Sequence, residues 1–144
     1  MRDRVVRRIR PNHRLALASL RRARRDADTA KTLLDANRQD WSLAVSYNAM
    51  LQAGRALMFE RGYRPSSAEG HVAVVKFLQA SFRGRVGDRM IIVFDGMRKK
   101  RHRVVYEEAD IVSRDEAEQG LGWAREFVNR SDAILQKGNS RSRD

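Results

Sequence analysis

Small apolar residues recur along the first quarter of the chain at Ala16, Leu20, Ala23, Ala27, Ala30 and Leu34, in steps of four, three, four, three and four. This is the seam of an amphipathic helix, and it predicts a helix from about Asn12 to Asn37. The other face carries Arg14, Arg21, Arg22, Arg24, Arg25 and Lys31 and is expected to meet water. Because alanine dominates the seam, a partner helix can approach closely, as in an antiparallel hairpin. After Arg38-Gln39-Asp40, with Asp40 or Ser42 as cap, a second helical pattern runs to Arg61 and stops at Gly62. Leu43, Tyr47, Met50, Leu51, Ala53, Gly54, Leu57 and Met58 give it one broad apolar face, so this helix is expected at the centre of the core. Gly54 costs roughly 1 kcal/mol against alanine, and a close helix crossing would explain it.

Tyr63-Arg64-Pro65 breaks the pattern, and Ser66 with Glu69 matches a capping box for a third helix to about Phe82. Gly84-Arg85-Val86-Gly87 reads as a turn, with Asp88 capping a fourth helix through Met90, Ile91, Val93, Phe94 and Met97. The run Met90 to Phe94 also fits a short buried strand, and helix is preferred because no second strand is evident to pair with it. Ser113 and Glu116 form a second capping box, opening a fifth helix with Ala117, Leu121, Ala124, Phe127, Val128, Ile134 and Leu135 inward. The expected fold is all-α, an up-and-down bundle of about five helices. A basic N-terminal arm (1–11) precedes the helical domain (12–137), and a flexible tail (138–144) follows it.

Composition narrows the chemistry. The 144 residues include 42% apolar residues, enough for one real core, and 33% charged residues. There is no cysteine, which removes disulfides, thiolate nucleophiles, Fe–S clusters and cysteine zinc sites, and fits a reducing, cytoplasmic setting. The longest stretch without charge, Trp41 to Gly54, falls well short of the roughly 20 residues a spanning helix needs. Met1 to Arg10 is basic but leads into no apolar core, so it is not read as a secretory signal. The formal net charge of +12 favours polyanionic partners.

That charge is densest at Arg98-Lys99-Lys100-Arg101-His102-Arg103, followed by Val104-Val105-Tyr106-Glu107-Glu108. On a helix, six successive residues wrap the whole circumference, so some of these must turn toward the bundle or a second subunit. A basic helix end complementing the helix dipole is one reading. A phosphate site is the other, since arginine forks match phosphate oxygens in pairs. Glu107, Glu108 and Asp110 are expected to be solvated or to pair with the basic run, with a two-carboxylate Mg²⁺ site as a remote second choice. His13, His71 and His102 form no metal set by spacing, and His71 is expected to pack or cap at its helix start.

Taken together, the Ala-rich first helix, the segment Ala49 to Met58 before Gly62, His71-Val72, Arg101 to Tyr106, and Ala124-Arg125-Glu126-Phe127-Val128 resemble a HEPN domain from about Leu15 to Leu135. The resemblance implies a motif of Arg, a polar neighbour, and His four to six residues beyond the Arg. Arg101 matches the Arg and His102 the polar neighbour, while Tyr106 stands at the histidine position. It further implies a homodimer acting on RNA without metal or cofactor, the Arg stabilising the scissile phosphate and the His assisting attack by the ribose 2′-hydroxyl. Arg98, Lys99, Lys100 and Arg103 would add nucleic-acid contacts.

A phenol titrates near ~10 and an imidazole near ~6.5, so tyrosine is the poorer base at neutral pH. It still donates a hydrogen bond to phosphate, which favours binding over turnover. His102 is an alternative base, although adjacent helical residues point about 100 degrees apart. Two functions follow from the resemblance. One is an RNA-binding protein or metal-independent endoribonuclease, such as the toxin of a toxin–antitoxin pair. The other is a non-catalytic module engaged by a minimal nucleotidyltransferase, with Tyr106 as a nucleotide acceptor.

Overall fold

A computed structural model describes residues 6–66 and 70–143, with side chains as far as Lys137. Among these residues it contains six helices and one two-stranded sheet: β1 (Val6–Arg8), α1 (His13–Asp35), α2 (Gln39–Arg61), β2 (Tyr63–Pro65), α3 (Gly70–Ser81), α4 (Arg83–Val86), α5 (Asp88–Tyr106) and α6 (Arg114–Arg143).

The alanine seam behaves as its spacing requires. Ala16, Ala23, Ala27 and Ala30 are buried, α1 packs most extensively on α2, and α6 lies against both. The Asn12 side chain caps α1 by accepting from Leu15 N–H at 3.0 Å. α2 is buried on nearly every side, as a helix clad in small and apolar residues must be. Gly54 permits the crossing with α3: a Cβ there would overlap Val74 Cγ1. Gly62 ends α2 at a φ of 84°, a left-handed conformation in which glycine is unstrained.

Neither Asp40 nor Ser42 caps α2. The N-cap position is Arg38, without a side-chain hydrogen bond. The Asp40 carboxylate instead accepts from the backbone N–H groups of Asp110 and Val112, tying the loop before α6 to the base of α2. Ser42 is buried and donates to the Ala30 carbonyl, bonding the two tightly packed helices. The first capping box falls partly on Glu69, outside the described residues. At the second, the Ser113 hydroxyl accepts from Glu116 N–H at 3.0 Å, while the Glu116 carboxylate pairs with Lys100.

One further expectation is corrected. The predicted turn at residues 84–87 is largely the short helix α4, which raises the helix count to six. Residues 6–8 of the predicted arm are strand β1, antiparallel to β2 with Arg7 opposite Arg64. Val6 is buried, and Ile9 N–H donates to the Gly62 carbonyl, so this part of the arm is stitched to the end of α2. The backbone of α6 remains helical through Arg143, across most of the predicted tail.

Among the described residues, no helix is long and apolar enough to cross a membrane.

Candidate functional site

The basic run lies wholly within α5, and helical periodicity divides it. Met90, Ile91, Phe94 and Met97 form the buried stripe of this helix. Arg98 stands four residues beyond Phe94, and Arg101 four beyond Met97, so both continue that stripe toward the bundle. Arg101 reaches Tyr47 on α2, its guanidinium carbon 5.7 Å from the ring centroid. Its Nε is buried without a hydrogen-bond partner, an N–H withdrawn from water and left unused. Arg98 is half-buried and donates from Nε to Asp95 at 2.9 Å.

The other members of the run point elsewhere. Lys99 is exposed and 3.5 Å from Asp95, and Lys100 pairs with Glu116 of α6 at 3.2 Å. His102 and Arg103 are exposed and face back toward Glu107 and Glu108, at 4.0 and 3.5 Å. Tyr106 is 68% exposed, and its ring lies 4.9 Å from that of His102 one turn earlier. Arg101 and Tyr106, the two ends of the motif, are thus on different faces of α5 in the single chain.

His71, at the start of α3, is the residue that the structure brings to Arg101. Val74, Val75 and Leu78 are buried on α3, and His71 shares their face at three, four and seven residues before them. Its Nδ1 is hydrogen-bonded to the Tyr47 hydroxyl at 3.0 Å, with the two ring centroids 5.7 Å apart. Tyr47 is itself fully buried, packed against Phe94 of α5 at 5.4 Å. One tyrosine therefore joins α2, α3 and α5 and holds an imidazole near two arginines of α5 and Arg55 of α2.

The electrostatics follow from this placement. Burial lowers the pKa of His71, and the positive charges of Arg101, Arg55 and Arg98 lower it further, so the ring is neutral at neutral pH. Burial pushes the Tyr47 phenol up to about 12, with the same three arginines opposing the shift, so its proton stays in place. The tautomer of His71 sets its role. If Nδ1–H donates to the Tyr47 oxygen, Nε2 carries a free lone pair; if Tyr47 donates to Nδ1, Nε2–H is a donor. Three guanidinium groups with a neutral imidazole can bind a phosphodiester and exchange a proton beside it.

Spacing along the chain gave no hint of this partnership, because its members come from α2, α3 and α5. One signal was present: extending the Phe94 and Met97 stripe by one turn selects Arg98 and Arg101 from the six cationic positions. Among the described residues, no three or more His, Asp and Glu side chains gather where they could hold a metal ion.

No curated protein matches the chain significantly. Residues 16–134, more than four-fifths of the chain, match the family model for the HEPN domain. That span runs from the alanine seam to the last apolar turn of α6 and includes Tyr47, His71 and Arg101. With the helical bundle, it establishes that the chain belongs to the HEPN family.

Proposed function

We propose that this HEPN protein binds RNA at the junction of α2, α3 and α5 and acts there as a metal-independent endoribonuclease, in the manner of a toxin. Arg101 and Arg98 hold the scissile phosphate, and His71, rather than Tyr106, moves the proton of the ribose 2′-hydroxyl. The observation that carries this reading is the neutral His71 bonded to Tyr47 beside Arg101, whose Nε lacks a partner. A base useful at neutral pH must be unprotonated and within reach of a group that stabilises charge on the phosphate, and this cluster supplies both. Lys99 and Arg103 on the outer side of α5 add exposed positive charge for the flanking strand, and His102 stands beside them.

The protein acts as a homodimer in this proposal. Ile92 and Tyr106 are both exposed, 70% and 68%, and stand two heptads apart on α5, which gives the helix an outward seam for a second copy.

The test is incubation with a mixed labelled RNA pool in EDTA, comparing the parent with Arg101→Ala and His71→Ala. Discrete cleavage by the parent, reduced about 100-fold or more in both variants, is expected. Cleavage that survives His71→Ala would remove His71 from the reaction.

One observation favours a second reading, a non-catalytic module served by a nucleotidyltransferase: the Tyr106 hydroxyl belongs to an exposed side chain and is open to modification. In that case the parent leaves RNA intact. Its mass then rises by one or more nucleotidyl groups with the partner and ATP, and Tyr106→Phe prevents the gain.

A further inference from the structure

We propose that the cavity at the α1–α2 turn, bordered by the end of α5 and the start of α6, takes an unpaired RNA base stacked on Trp41. This subsite rests on the RNA-binding reading above and extends it from the phosphate at Arg101 to a flanking base. The cavity has a volume of about 630 Å³, within the range of small-ligand sites. Leu33, Trp41, Val104 and Val112 supply its apolar lining. Trp41 is 56% exposed, in the first turn of a helix otherwise buried on nearly every side. It offers the cavity a flat aromatic face that the fold itself leaves uncovered.

The rest of the lining favours a base over a phosphate or an apolar segment. Arg38 and Arg114 share the cavity with Asp40 and Asp110, so its formal charges cancel and a phosphate gains little there. The Asp40 carboxylate is engaged by the N–H groups of Asp110 and Val112, and Arg114 by the Leu34 carbonyl, Asn37 and Glu118. Asn37, Gln39 and Ser113 also line the cavity, and their carboxamides and hydroxyl match the donors and acceptors of a base edge. An apolar segment seated here would leave those groups unpaired. A heterocycle is apolar on its faces and polar on its edges, and so meets both parts of the lining.

The position of the cavity supplies the strand. Arg101 meets Tyr47 of α2, and Val104, three residues further along α5, shares the cavity with Trp41, six residues before Tyr47. The cavity therefore lies beside the arginine cluster along the same pair of helices. Six residues of α2 span about 9 Å, or about two to three nucleotides of a stacked strand rising about 3.4 Å each. A strand whose phosphate rests on Arg101 thus brings a nearby base to Trp41.

The experiment uses the full chain with a mixed-sequence 2′-O-methyl oligoribonucleotide, which lacks the 2′-hydroxyl needed for cleavage, and with the same backbone without bases. The chain has two tryptophans, so Trp123→Phe leaves Trp41 as the sole indole. Its emission is expected to be quenched by the oligonucleotide and unchanged by the abasic strand, while the anisotropy of an end label reports the binding of each. Trp41→Ala is expected to weaken binding of the oligonucleotide about 10-fold and of the abasic strand less than about twofold. Trp41→Phe, which keeps an aromatic face, is expected to retain most of the affinity. Arg101→Ala is expected to weaken both strands alike, because it acts on the backbone. Binding of both strands with unchanged Trp41 emission, or equal weakening of both by Trp41→Ala, overturns the subsite and leaves RNA binding in place. Emission that follows protein concentration instead of RNA assigns the cavity to a second copy and also overturns it. If neither strand binds, the RNA reading itself fails, and the subsite fails with it.

Discussion

The inner and outer faces of α5 carry the same kinds of residue and behave differently. Arg98 and Arg101 turn inward, are half-buried, and shift the protonation of Tyr47 and His71. Lys99, His102, Arg103 and Tyr106 turn outward, where they meet solvent and, for the first three, short-range acidic neighbours. Water and salt weaken the outer interactions, whereas partial burial preserves the inner ones. Local charge density is therefore a poor guide to where chemistry can happen. Of the six residues in the run, helical rotation places Arg101 against a buried aromatic ring.

The largest effect expected from breaking this distinction is on cleavage. Arg101→Ala lowers the initial rate about 100-fold or more, while Lys99→Ala stays within about threefold, measured on the same labelled RNA. Equal losses would erase the difference between the faces. Next is the bond that holds the imidazole: Tyr47→Phe removes the hydroxyl from His71 Nδ1 and destabilises the fold by about 1–3 kcal/mol, read by urea denaturation. An unchanged midpoint would mean the bond contributes nothing to stability.

The pH dependence sharpens the comparison further. His71 has a folded-state pKa below the ordinary ~6.5, so the unfolded chain takes up its proton first as pH falls. The stability supplied by neutral His71 is present above about 6.5 and is lost as pH drops from there through the folded-state value. His71→Gln should flatten stability across that window. Arg101→Gln should raise the His71 pKa, measured by NMR titration, because one of the three depressing charges is gone. A His71 titration unmoved by Arg101→Gln would break the proposed coupling. At the alkaline end the sign reverses: the Tyr47 phenol is held protonated to about 12 in the fold, so stability declines as pH rises from about 10. The smallest effect belongs to the outer face. Tyr106→Ala should alter stability by less than about 0.5 kcal/mol, and a larger loss would show that this exposed ring supports the fold.

Much of the architecture was legible because it depends on local periodicity. The alanine seam marked α1 and its tight contact with α2, Gly62 marked the end of α2, and Ser113 marked the start of α6. Gly54 was legible as a crossing point, though the residue that meets it, Val74, was not. The two-stranded sheet escaped notice because β1 and β2 have three residues each, too short for alternation to register, and lie on either side of α1 and α2 in the chain. The length of α5 was underestimated because cationic residues interrupt its apolar stripe for a turn while the backbone stays helical. Asp40 looked like a helix cap because caps are local, yet its carboxylate serves a loop 70 residues away.

By itself the sequence determined a cysteine-free, strongly basic, all-α chain of the HEPN type. These are properties of composition and of short-range spacing, which every conformation of the chain shares or which one helix suffices to express. Tertiary structure decided that Arg101 meets Tyr47, that Tyr47 bonds His71, and that Arg7, Arg22, Arg55 and Arg64 share one cavity. Such meetings depend on how helices pack and on which side chains lose their water, and those follow from the close approach of α1, α2, α3 and α5 rather than from any one segment.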